Sequence, residues 1–147
     1  MGTVVRVATV AVFAALAFSL TFVIWPQPPD APVPPARLMP VLIGLGVADA
    51  LAFGVGVAFL IFGFPVLARI GGTGPLTWAS YLGIGWSLVS WWPHVNMHRV
   101  NGASFEGLVM IDIIFHLTLI AVAMILAAFF FRVIRSAPPV SPGLSAR

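Results

Sequence analysis

Cysteine and lysine are both missing from this chain, and charge of either sign is scarce. Without cysteine there can be no disulfide, no thiolate zinc site and no iron–sulfur cluster held by this chain. Charged residues fill 7% of its 147 positions, where a soluble domain carries about 25%. Hydrophobic residues make up 61%, with a mean hydropathy of +1.09. That leaves too little polar surface to cover a water-soluble ball. An ordinary cytosolic enzyme, a disordered tail and a nucleic-acid binder are thereby excluded. The pI near 11.2 does not alter this, since the formal net charge is only +3 and no basic stripe exists to neutralise several phosphates. Other absences narrow the chemistry. No phosphate-cradling glycine loop is present; Gly44-x-Gly46 and Gly83-x-Gly85 lie inside apolar runs and read as packing positions. No serine has a His–acid partnership of the kind that serves nucleophilic catalysis. Three histidines are too few for a membrane oxygenase built on histidine boxes.

What is present is apolar sequence in four long runs. They cover about 7–25, 40–68, 76–92 and 105–133. They predict an all-α integral membrane bundle of four transmembrane helices, forming a single domain over 1–135. The first run exceeds the apolar core of about 7–15 residues in a cleaved signal peptide. Its Ala15-Leu16-Ala17 triplet lies inside the run, so a retained helix is expected. Six prolines between 26 and 35 forbid helix and make 26–38 a stiff outer loop. The second run is longer than the roughly 20 residues a crossing needs, and Gly63 with Pro65 predicts a bend near its end. A turn follows at Gly71-Gly72-Thr73-Gly74-Pro75. Pro93 should end or kink the third run, and Ser104 is the expected N-cap of the fourth. The Pro- and Ser-rich stretch 136–147 reads as a loosely ordered tail. Ala48, Ala52 and Gly56 form one small-residue stripe, and Ala79, Gly83 and Ser87 another. Such stripes let helices approach closely, within a chain, between copies or against partner subunits.

Arginine placement sets the expected orientation. With four crossings both termini share a side, and Arg6, Arg69, Arg132, Arg135 and Arg147 fall there against Arg37 and Arg99 opposite. The termini are therefore expected on the cytoplasmic side, with a bacterial inner membrane as the expected location. Asp30, Glu106 and the proline-rich loop then face outward, with Trp25, Trp91 and Trp92 at the outer interface and Trp78 at the inner one.

Ionisable residues inside a membrane are costly and are functional hypotheses by default. Asp49 lies nine residues beyond Pro40, about 13 Å below the outer end, and Asp112 eight residues past Ser104, about 12 Å below it. His116 is one turn deeper, while His94 and His98 occupy the outer end of the third run or the connector after it. All five fall in the outer half. His94-x3-His98 and Asp112-x3-His116 each place two side chains one turn apart on a helix face. The short connector makes the two helices antiparallel neighbours. With the turn near Gly102, His94 should face the level of Met110 and His98 that of Glu106. His94 and Asp112 can then approach one another.

Three imidazoles and a carboxylate suit Zn, Cu, Fe or Mn. His94, His98, Asp112 and His116 are the candidate ligands, with Asp49 a further ligand or an outer acceptor. Met97 and Met110 keep copper open, and Asn96 and Asn101 could orient ligands. A haem b held by His94 and His116 is disfavoured by an expected offset of about 9 Å. Equally compatible with the residues is a polar cluster of internal hydrogen bonds and no ion. Three readings follow: a small membrane protein or subunit holding a metal at the outer face, a structural accessory subunit, and an oligomeric transporter using Asp49 or Asp112 for a proton or cation. Nothing in the sequence assigns a reaction.

Overall fold

Prolines open three of the helices at positions where a missing N–H costs nothing. In the computed structural model, which describes residues 2–29, 31, 33–101 and 105–136, every regular element among the described residues is helical. Helix α1 spans Thr3–Ile24. A 3₁₀ turn at Ala36–Leu38 leads into α2, Met39–Phe62, with Pro40 in its first turn. The expected bend falls at Gly63, and α3 runs Phe64–Gly71 with Pro65 near its start. Gly72 ends α3 at φ +73° and ψ −169°, a backbone region that only glycine occupies without strain. Helix α4, Pro75–Val89, is followed after Ser90 by α5, Trp91–Asn101. Pro93 explains that break, because it has no N–H to offer the Val89 carbonyl and its ring crowds the preceding turn. Helix α6 runs Phe105–Ser136 over 32 residues, about 48 Å. The expected N-cap at Ser104, the turn near Gly102, Asp30 and most of the tail lie outside the described residues.

Three helices are long and apolar enough to cross a membrane: Thr3–Ile24, Ala36–Phe62 and Glu106–Ser136. Helix α4 has 15 residues, about 22 Å, which is short of a bilayer core of about 30 Å. The expected four-helix bundle is not closed. Helix α1 packs on α2, α2 on α4 and α4 on α6, and no comparable contact joins α1 to α6 among the described residues. The long elements thus stand in a row.

The row buries some small polar side chains and exposes many large apolar ones. Thr77 and Ser80 are fully buried, whereas Leu117, Met124 and Phe131 on α6 are more than 60% exposed. That inversion suits a lipid surround. Small residues bring the helices together. A β-carbon at Gly54 would stand 2.5 Å from the Val10 carbonyl oxygen of α1, and one at Gly56 would strike Leu88 and Val89. Gly83 lies against Val122 of α6, and Gly85 against Leu60 of α2. Glycines of both small-residue stripes are therefore occupied by contacts within the chain. Where α1, α2 and α5 meet, Ala17, Ala50 and Trp92 form a buried cluster joined by Phe18, Trp25 and Phe53. The Trp92 indole N–H donates to Thr21 Oγ1 at 2.8 Å, tying α5 to α1.

Candidate metal site

Helix α5 and the N-terminal part of α6 bring three side chains to one point. His94 and His98, one turn apart, reach toward Asp112 on α6. His98 Nε2–H donates to Asp112 Oδ1 at 2.7 Å, and His94 Nε2 stands 3.8 Å from the same oxygen. One donor atom from each of the three residues lies within 4.8 Å of the other two, and this is the one such group among the described residues. A metal with bonds of about 2.0–2.2 Å would hold its ligands roughly 3.4 Å apart in a tetrahedron. One of these separations must open slightly and another close.

Phe115 fixes the imidazole of His94. The two rings stack at 3.7 Å and 9°, and both residues are buried. The Nδ1 of His94 has no hydrogen-bond partner among the described residues, and neither has Ser90 Oγ one turn earlier. A buried polar atom without a partner is costly. The His98 ring meets that of His94 at 4.6 Å and 76°, edge to face.

His116 stands beside this group rather than in it. Its Nδ1–H donates to the Asp112 backbone carbonyl at 2.7 Å, and its Nε2 has no partner among the described residues. Its ring centre is 6.0 Å from that of His94, closer than the offset of about 9 Å expected from straight helices. The direct contact of α5 with α6, filled here by Phe115, leaves no slot for a macrocycle between those two histidines. Asp49 is also outside the group. It lines a cavity of about 680 Å³ between α1, α2 and α5, and His98 and Arg99 line the same cavity. The amides of Asn96 and Asn101 donate to the Trp92 and Met97 carbonyls of their own helix. The α5–α6 register differs from the expected one. His98 meets Asp112 rather than the level of Glu106, six residues further along α6. The expectation counted residues outward from a turn near Gly102, and such a count carries no information on how α5 tilts against α6.

No family model, no curated protein and no solved structure matches this chain. The functional reading therefore rests on the residues themselves. Phe115 and Arg99 had no chemical signature in the sequence that would have marked them. Only the spacing of Phe115 between Asp112 and His116, on the turn that carries both, hinted at its place.

Proposed function

We propose that this is a small integral membrane protein that holds a divalent transition metal in the outer half of the bilayer through His94, His98 and Asp112. The carrying observation is the convergence of the three donor atoms, from two helices, within 4.8 Å. Two imidazoles and one carboxylate with open positions suit Fe(II) or Zn(II). Copper(I) is less well served, because Met110 is 62% exposed and Met97 is also exposed. His116 supplies the fourth position through Nε2 once its ring turns toward the site. Helices α4 and α5 together make the third of four crossings, since 15 residues alone are too short. On this reading both termini face the cytoplasm of a bacterial inner membrane, as the arginines favour.

Metal analysis of detergent-purified protein, reconstituted in turn with Zn, Fe and Cu, tests the site. The expected result is one ion per chain in the wild type and none in His98→Ala. A wild type that stays metal-free under all three conditions would end the metal reading. A second reading then stands on the 2.7 Å bond between His98 and Asp112. That bond locks α5 onto α6 without an ion, and the protein is a structural accessory subunit.

A further inference from the structure

The cavity between α1, α2 and α5 takes no part in the metal reading. Its volume of about 680 Å³ lies within the roughly 300–1,000 Å³ of small-molecule sites. Phe18 and Phe22 of α1 and Leu42 and Ile43 of α2 form apolar walls, and Trp92 of α5 adds an aromatic one. Asp49, His98 and Arg99 are the ionisable side chains on its lining. The ion pairs among the described residues all belong to Asp112, so Asp49 and Arg99 pair neither with each other nor with any other described residue. The Arg99 guanidinium lies instead 5.2 Å over the Phe22 ring. A half-buried carboxylate on an apolar helix, open to a cavity and without a donor among the described residues, is an expensive arrangement.

Depth and charge select the ligand. Asp49 precedes Ala50, which packs with Trp92. Arg99 lies seven residues beyond Trp92 on α5, about 10 Å nearer its outer end. The acceptor is therefore deep and the cation shallow. A zwitterionic phospholipid carries its amine outside its phosphate, which is the reverse order. A fatty acid would pair with Arg99 but leave Asp49 without a donor, and a free metal cation would pair with Asp49 but leave Arg99 without an acceptor. A neutral, flat, lipophilic head with hydroxyl donors and oxygen acceptors satisfies both groups. We propose that this cavity binds lipophilic hydroquinones, with one ring hydroxyl donating to Asp49, the other oxygen accepting from Arg99, and the ring set against Phe22 and Trp92. His98 offers a second acceptor, because its Nε2–H is committed to Asp112 and its Nδ1 has no partner among the described residues. The site stands independently of the metal proposal and shares only His98 with it.

Decylhydroquinone is titrated into detergent-solubilised protein that has been stripped with chelator, and tryptophan fluorescence is followed. The expected result is saturable quenching that weakens about tenfold in Asp49→Asn and disappears in Gly46→Leu. Gly46 lines the cavity, and a β-carbon there meets only Phe18, at 3.8 Å, so the added side chain enters the space without a backbone clash. Should Gly46→Leu fail to fold, Asp49→Asn decides alone. Three results would overturn the proposal: no saturable quenching in the wild type, quenching in either variant equal to the wild type, or tighter binding of decylamine than of decylhydroquinone. Because the protein is metal-free throughout, loss of the metal reading leaves these outcomes unaffected.

Discussion

Asp112 presents one oxygen to two imidazoles, so its charge and its shape can be separated by experiment. Asp112→Asn keeps an acceptor oxygen for His98 but removes the negative charge a metal needs. Metal affinity should fall by more than tenfold in a competition titration, while thermal unfolding in detergent shifts by no more than about 1 kcal/mol. Equal affinity in the variant would remove Asp112 from the ligand set. Thr21→Val tests a different bond. It strips the acceptor from the Trp92 indole N–H and leaves that donor half-buried, at a cost of about 1–3 kcal/mol visible as a lower melting temperature. The site residues were legible in the sequence because ionisable groups are so few. Four acids and three histidines can all be followed, and three of those seven side chains converge. The stacking of Phe115 on His94 was not legible, because one phenylalanine among twelve carries no mark of what it touches.

At the scale of elements, the break between α4 and α5 sets the angle at which the histidines meet α6. Pro93→Ala returns an N–H to the Val89 carbonyl and removes the ring that crowds the turn. We expect unchanged or higher thermal stability together with weaker metal binding, since a straightened helix carries His94 and His98 away from Asp112. A variant that binds metal as tightly as the wild type would show that the break does not position the site. Helix spacing has its own test in Gly85→Leu, whose β-carbon would collide with Leu60. Overpacking there should cost about 1–3 kcal/mol. Gly44→Leu is the control, since a β-carbon at Gly44 meets nothing within 4 Å and its melting temperature should not fall. The break at Gly63 could be read from Gly63 and Pro65, and Pro93 foretold an interruption. The register of α5 on α6 could not be read. Periodicity marks which face of a helix is apolar, but it does not encode the tilt that decides which turn meets which.

The whole molecule is a row that buries some small polar side chains between its members and exposes many large apolar ones. The absence of cysteine makes its orientation directly measurable, because every thiol in a variant is one introduced by choice. In right-side-out vesicles, an impermeant maleimide should label Gln27→Cys and spare Gly74→Cys. The reverse pattern would invert the topology. Helices long and apolar enough to cross a membrane were legible from composition alone. The openness of the row was not, since a stripe of small residues records that something approaches closely without saying what. Gly54 meets α1, Gly56 meets α4 and Gly83 meets α6, and each helix is thereby committed to a neighbour in line. His98 occupies an unusual place in this row, with one ring nitrogen on Asp112 and the ring itself in the wall of the cavity. It belongs to two compartments at once, and thermodynamics makes such a shared wall reciprocal. If a cavity ligand alters the affinity of the triad for its ion by some factor, the ion must alter the affinity of the cavity for that ligand by the same factor. One imidazole would then make two modest sites into a single coupled device.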